Sequence, residues 1–579
     1  MVAARPALPR SLLLLTLALL VGISVVAELR SYARPDTGFL LEAGGRVLDG
    51  ARLYVDVVEI NPPLIVALNA LVVLCARALR ASDILVYRVA VTAVLLTSLA
   101  LSALWLRRLL PGDLRLQRAL VLLLAFVLFA LAGPDFGERE HLVLALLLPY
   151  LLLAATRGLG RRIAPTQGLG PGLLAGLALA LKPHFVLVWL GIEAWLRGTR
   201  RVPRGTLLPE TLGIAGVLVI YCLFIALLTP EYFDVVRLLA GPYTRFLYDP
   251  FWHVLVAGPG SVLALFALLA YLALQDQART PVLWVPLALA TAASLLAGAV
   301  QQKGLSYHLY PASAFAMSLL GMVALDTAPR VRGPVRSLYR TVAVAVLVAG
   351  IAVVSLDRVV GAAGRAGDSD QGEFERLVRL VHGHAANEGV FVMSYHIRSA
   401  YPLLNYSGGR SASRFPHLWI LAAEYLTQMK QERPLRYHEP REMSASERYL
   451  NRAVREDLER RPKLLLVLRS ARDLPVNGYR RLDYVAYFGR VPEIARLFRE
   501  YELIAETGDY LVYEWKPSGR RIGPAPTAMP GTRDIVVMRE AGAPIRFGDP
   551  RLLVAVLTFL GSLVVTGLSA RSRVPPMVQ

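Results

Sequence analysis

Asp36-Thr-Gly-Phe39, followed by Leu53-Tyr-Val-Asp56-Val-Val-Glu59-Ile-Asn-Pro62-Pro63-Leu64, sets three acids between apolar segments 11–29 and 62–80. An ionised carboxylate held against hydrocarbon costs several kcal/mol unless it is paired, hydrated or facing a cavity. Acids in this place therefore mark a loop at a membrane end, and the same cost makes that loop a candidate site.

Outward from this loop, apolar runs recur at 11–29, 62–80, 84–106, 119–132, 141–156, 170–183, 185–197, 210–229, 259–275, 281–300, 309–325, 339–358 and 551–570. With 18% charged residues over 579 positions and a mean hydropathy of +0.48, the chain reads as a polytopic α-helical membrane protein. The net charge of +20 is concentrated in short loops between apolar runs. Topology accounts for it, and a nucleic-acid partner is not indicated. Cys75 and Cys222 are too far apart in sequence to suggest a disulfide framework or a metal knuckle. Segment 11–29 is long and lacks a small-residue cleavage site, so it reads as a retained anchor.

Charge decides which runs cross. Arg107 to Arg118, Arg157 to Arg162, Arg197 to Arg204, Arg330 to Arg340, the tail around Arg571 and Arg573, and Arg5 with Arg10 all belong on the cytoplasmic side. That pattern requires 62–80, which opens Pro-Pro and ends in Arg77 and Arg80, to lie along the outer interface as a juxtamembrane helix. About 12 transmembrane helices remain, with both termini cytoplasmic. Segments 170–183 and 185–197 rise only about 20 Å each against a core of about 30 Å. Both their flanks are basic, which predicts a tight hairpin with Lys182-Pro183-His184 at its outer tip. Three units follow: a membrane module over 1–360, an extracytoplasmic α/β domain over 361–549, and a last span with its tail over 550–579. Strands are predicted at 390–393, 464–468 and 510–513, and helices at 373–385, 415–430, 443–460 and 491–500. Residues 516–549, rich in Pro, Gly and Arg, read as a loose return to the last span. No fixed-period repeat is visible.

On this topology the outer loops collect Asp36, Asp56 and Glu59; then Asp135-Phe-Gly-Glu138-Arg139-Glu140-His141; then Lys182-Pro-His184; then Arg245, Asp249 and His253; then Lys303-Gly-Leu-Ser-Tyr307-His308. All four histidines of the membrane half fall here, and two of the chain's five lysines are Lys182 and Lys303. Where Arg is the usual cation, a Lys at a membrane junction points to a compact ammonium for a phosphate oxygen. Carboxylates with cations on one side suit transfer of a group from a lipid phosphate to a hydroxyl. A carboxylate takes the hydroxyl proton while cations or a metal hold the departing phosphate.

The layout resembles the GT-C superfamily of integral membrane glycosyltransferases that use polyprenyl-phosphate sugars, especially bacterial members similar to protein O-mannosyltransferases and aminoarabinose transferases. Asp36 matches the acid expected after the first span, and Asn61-Pro-Pro-Leu64 matches a Pro-Pro-Leu element in juxtamembrane helices. Asp135 to Glu140 stands where a second acidic motif is expected after the third span. Lys182-Pro-His184 and Lys303 to His308 resemble segments of bacterial polyprenyl-phosphate mannosyltransferase-like proteins. The similarity spans roughly 11–358. The chain departs from the pattern in having Thr37 after Asp36, and Gly-Glu-Arg-Glu-His in place of a lone Asp.

The resemblance implies an inverting transfer from a polyprenyl-phosphate sugar to a glycan, lipid or protein acceptor, on the periplasmic face of a bacterial inner membrane. Asp36 is then the base, with Glu138 as second catalytic carboxylate. Lys182, His184, Lys303, His308 and Arg245 would contact the donor phosphate, and Asp56, Glu59, Glu140 and His141 would position the acceptor or a metal. No cofactor is assigned, and a divalent cation (magnesium or manganese) stays an open alternative. Plainer readings stand beside these: Asp36 as a helix cap, Glu138, Arg139 and His141 as an internal ion-pair network, and Lys182 snorkelling to headgroups. Two other function classes are a flippase for lipid-linked saccharides and a non-catalytic envelope assembly protein. The first wants polar residues spread through the bilayer. The second has no need of carboxylates and lysines in several separate loops.

Overall fold

The computed structural model describes residues 8–203, 205–327, 333–363, 369–429, 435–469 and 482–516. The expected last span at 551–570 and the return at 517–549 lie outside the described residues.

Apolar runs fold as helices because hydrocarbon offers the backbone no other partner. In chain order they are α1 (Arg10–Leu29), α2 (Pro35–Leu48), α3 (Leu64–Leu79), α4 (Asp83–Leu109), α5 (Leu114–Ala125), α6 (Arg139–Gly158), α7 (Pro165–Leu181), α8 (Val186–Gly198), α9 (Pro209–Leu228), α10 (Glu231–Arg245), α11 (Phe251–Val256), α12 (Pro259–Leu274), α13 (Pro281–Val300), α14 (Tyr310–Asp326) and α15 (Pro334–Ala363). Among the described residues eight helices are long and apolar enough to cross a membrane: α1, α4, α6, α9, α12 with its last turn, α13, α14 with its first turn, and α15. The count differs from the twelve expected because α5, α7 and α8 are shorter, at 12, 17 and 13 residues, and 551–570 is not described.

The short helices nevertheless belong to the bundle. α5 runs on through a π-helical turn, Phe126–Ala130. α7 and α8 fold back on each other at Lys182-Pro183. Both meet the start of α9: a methyl on Gly168, in the first turn of α7, would stand 2.7 Å from Glu210 Oε2, and Thr211 donates to Glu193 of α8 at 2.5 Å. α3 packs along α2: Arg77 pairs with Asp49 at 2.8 Å, and a methyl on Gly44 would stand 2.6 Å from the Ala70 nitrogen.

The bundle has two chemically different ends. At one, Arg157 pairs with Glu210, and Asp326 accepts from Trp284 at 2.8 Å and from the Thr280 backbone at 2.9 Å. This end carries the arginine-rich loops. At the other, hereafter the site end, Arg34 pairs with Asp135, Arg358 with Glu28 at 2.6 Å, and Tyr87 donates to the Gly137 carbonyl. α6 runs between the two at the bundle's centre and is buried along almost its whole length. Its first turn, Arg139-Glu140-His141, is therefore buried too.

A second body packs on the site end. It contains α16 (Ser369–Ala385), β1 (Gly389–Met393), α17 (Leu403–Ser407), β2 (Arg410–Ser411), α18 (Trp419–Met429), α19 (Ala445–Glu459), β3 (Leu464–Leu468), β4 (Tyr501–Thr507) and β5 (Tyr510–Trp515). The sheet order is β2-β1-β3-β5-β4, parallel from β2 to β3 and antiparallel beyond, with Val390 opposite Leu464 and Leu466 opposite Val512. β1 and β3 are almost wholly buried, so they read as continuous apolar runs.

Close approach of α7 to α9 depends on a missing side chain. A methyl on Gly172 would lie 2.4 Å from the Glu210 carbonyl oxygen, whereas one on Gly170 meets nothing within 4 Å. Gly172→Ala is expected to destabilise the bundle by about 1–3 kcal/mol, as overpacking does. Gly170→Ala should leave the thermal unfolding midpoint of the detergent-solubilised protein unchanged or raised. Equal midpoints for the two variants would contradict the described packing.

Candidate functional site

Five separate segments deliver charge to one place at the site end: the start of α2, the 52–61 loop, the start of α6, the α7–α8 tip and the 301–308 turn. Asp36 is the second residue of α2, after Pro35 at the first helical position and Arg34 as N-cap. It is therefore not the cap, although its charge suits the helix N-terminus. Among the described residues its carboxylate has no hydrogen-bond donor of its own. Its charge is felt at Glu59, Glu138, Arg139, Lys182, Tyr243 and Tyr307, which places all six around it.

The loop before α6 is held in shape by backbone demands. Gly137 has φ +82°, and a methyl there would meet the Tyr87 ring at 2.8 Å, so glycine is required on both counts. Tyr87 also bonds Thr37, tying the Asp36 segment to this loop. Glu138 forms the N-cap and is buried. Burial, and then neighbouring Asp36, push its carboxyl up to about 8. Arg139 is buried and faces Glu140, Asp36 and Glu59, with its Nε unpartnered.

Glu140 is fully buried and pairs with Lys182 Nζ at 2.9 Å. Lys182 caps α7 in extended backbone conformation, which the following Pro183 enforces. Burial holds its ammonium below the usual range, against the pull of Glu140, and Nζ also reaches Gln301 at 3.4 Å. His308 Nε2 stands 3.7 Å from Glu140, with Nδ1 buried and unpartnered. His184 lies exposed at the rim, near enough to feel Lys182 and Glu140. Glu59 is buried, its Oε1 accepting from the Asn61 backbone at 2.8 Å, and burial raises its pKa.

Four expected site residues are committed elsewhere. His141 Nδ1 accepts from the Gly137 backbone at 3.0 Å while Nε2 contacts the Leu128 carbonyl at 2.7 Å, so both nitrogens secure the turns around α6. Lys303 donates to the Tyr243 and Phe246 carbonyls and lies 4.3 Å from the Tyr243 ring, which makes it a staple for the end of α10. Arg245 is exposed and pairs with Glu424 of the second body at 3.3 Å. Asp56 accepts from the Arg52 backbone at 2.8 Å and closes its own turn. Arg139, Tyr243 and Tyr307 join the site in their place. The alternating charge of Glu138-Arg139-Glu140 was the signal for the first, but an aromatic beside a membrane gives none.

The donor set does not suit a metal. Glu140 holds Lys182, Glu59 holds Asn61, and the Arg139 guanidinium lies among the acids. Among the described residues no group of three or more His, Cys, Asp or Glu is arranged to hold an ion. The cluster can instead hold an anion between Arg139 and Lys182 and take a proton at Asp36.

No protein-family model matches the chain, and no curated protein matches it. Among solved structures it is similar to the single-particle cryo-EM structure of the arabinofuranosyltransferase AftD from Mycobacteria, with a TM-score of 0.40 and 15% identity over 88% of this chain and 40% of that one. The chain thus spans less than half the length of that protein, and the likeness is too distant to decide fold or activity.

Removing one partner of a buried ion pair strands the other charge. Glu140→Gln or Lys182→Met alone should each cost about 3–5 kcal/mol, and the double variant should recover much of it. Chemical denaturation in detergent measures this, and additive losses would show that the two do not pair.

Proposed function

We propose that the chain is a membrane glycosyltransferase that moves a sugar from a polyprenyl-phosphate donor to the hydroxyl of a glycan, lipid or protein. The observation that carries this reading is the meeting of an unpartnered carboxylate, Asp36, with buried Arg139 and Lys182 at one end of a membrane bundle. The arginine-rich loops at the opposite end favour a cytoplasmic location there, which supports the reading of a site on the periplasmic face of a bacterial inner membrane.

In the step proposed, the acceptor oxygen attacks the anomeric carbon, the carbon–oxygen bond to phosphate breaks, and the hydroxyl proton passes to Asp36. A single displacement inverts the anomeric centre. The polyprenyl phosphate leaves with its negative charge against Arg139 and Lys182, with His308 and His184 beside it, so no general acid is needed. The raised Glu138 carboxyl holds its proton at neutral pH, which limits negative charge around the incoming phosphate, and burial pushes Glu59 in the same direction.

Asp36→Asn should lower transfer at least about a hundredfold, as loss of a general base does, while leaving the unfolding midpoint in place. Transfer of radiolabelled sugar from polyprenyl-phosphate mannose, arabinose and glucose to an envelope extract measures it. Wild-type turnover in the variant would remove the base. Glu138 is protonated below about 8 and gains a charge beside Asp36 above it. Transfer is expected to fall as pH rises through that value, and the fall should vanish in Glu138→Gln. A shared alkaline limb in both proteins would assign it to another group.

A further inference from the structure

We propose that the sheet-bearing body is a positioning element for the transfer step: through Asn405 and Tyr401 it fixes the height and rotation of α2, and so where the Asp36 carboxylate stands. The inference rests on the base assignment above and adds a role for residues far from it in sequence.

The argument begins with how α2 is held. At about 100° per residue, Gly38, Phe39, Glu42 and Arg46 share one face, Gly44 lies on a second, and Asp36 projects from a third between them. The first face belongs to the sheet-bearing body. Asn405 Nδ2 donates to the Gly38 carbonyl at 3.0 Å, and Tyr401 OH donates to Glu42 at 3.1 Å. The Tyr401 ring also packs edge-on against Phe39, with centroids 5.5 Å apart. Arg46 donates to the Ser413 carbonyl at 2.8 Å. The second face belongs to α3, where Gly44 lets the two backbones touch.

Both contact faces are closed to adjustment. A methyl on Gly38 would come 2.6 Å from Asn405 Oδ1 and 3.4 Å from the Pro402 backbone, so the body meets the α2 main chain directly. Flanking bonds repeat the grip: the Ala33 amide donates to Tyr406 OH at 3.1 Å, and the Val58 amide donates to the Arg414 carbonyl at 2.7 Å. Arg414 is itself fixed by Asp457 at 3.0 Å. Asp36 is two residues from the Asn405 contact and, among the described residues, has no hydrogen-bond donor of its own. Its position is therefore inherited from the helix that carries it, and that helix is held on one face from outside the membrane bundle and on another by α3.

The test uses full-length protein in lipid nanodiscs. Asn405→Leu and Gly38→Ala are compared with Arg461→Ala, which breaks an exposed pair to Glu500 in the same body. Hydrogen exchange over residues 35–48 and steady-state transfer from polyprenyl-phosphate mannose, arabinose or glucose are read together. Expected are faster exchange in α2 for the first two variants only, and kcat lowered about tenfold or more with donor KM within about twofold, as misplacement of a catalytic group gives. Wild-type exchange and kcat in Asn405→Leu, with Asp36→Asn inactive, would overturn the positioning role and leave the base intact. An active Asp36→Asn would remove the base and the positioning role together. Equal losses in Arg461→Ala would reduce the effect to general stability and overturn the proposal. Should none of the three donors turn over, unchanged exchange in Asn405→Leu overturns it alone.

Discussion

The whole site end is organised by the cost of burying the first turn of α6. α6 is at the centre of the bundle, so Arg139 and Glu140 arrive in surroundings where an unpaired charge is several kcal/mol too expensive. The nearest cation that can answer Glu140 is Lys182, and it reaches only because α7 stops there and the chain turns at Pro183. The break between two short helices is thus an electrostatic requirement of a third. Their lengths are legible in the same way: neither needs to span unaided when Lys182 between them is buried as an ion-pair partner.

The charged groups at this end then fall into two populations. Arg34 with Asp135, Arg358 with Glu28, and Glu140 with Lys182 are paired, and they fix loops and helix ends. Asp36, the Nε of Arg139 and the Nδ1 of His308 lack hydrogen-bond partners among the described residues. Asp36 is half-buried, but the Arg139 and His308 nitrogens are buried, and buried polar atoms without partners are rare in folded chains and point to a group that completes them. The two populations interleave, so the paired groups hold the unpaired ones at fixed separations, as electrostatic preorganisation requires.

Sequence alone showed the sidedness of the polar residues but not their depth. Basic flanks were enough to turn α7 back at Lys182, and the α3 that they set apart from the spans packs along α2. The four histidines of the membrane half were rightly gathered at one end, yet they do different things there. His141 is consumed by the Gly137 and Leu128 backbones, His253 bonds Asp249 at 2.7 Å, His184 sits at the rim, and only His308 offers a free buried nitrogen. Depth depends on which helix is central, and periodicity cannot reveal that when every helix is apolar. Lys303 misled for a related reason. A Lys among arginines signals a compact ammonium, and two backbone carbonyls at a helix end use one as well as a phosphate does.

The distribution of polarity along α6 also separates group transfer from translocation. A saccharide carried across the bundle would need hydrogen-bonding groups along its path, whereas α6 below its first turn runs Leu142, Val143, Leu144, Leu147 and Leu148, all buried. Around its lower half, Leu106, Leu120, Leu124, Leu283 and Met322 complete an apolar lining. The far end is then closed by the Arg157–Glu210 pair and by Asp326 with Trp284. Moving a sugar through would mean breaking those contacts and desolvating its hydroxyls against leucine. The transfer proposed above, confined to one end, needs none of this: a polyprenyl chain would stay in lipid, its phosphate would meet Arg139 and Lys182, and the acceptor would come from the side on which the sheet-bearing body sits.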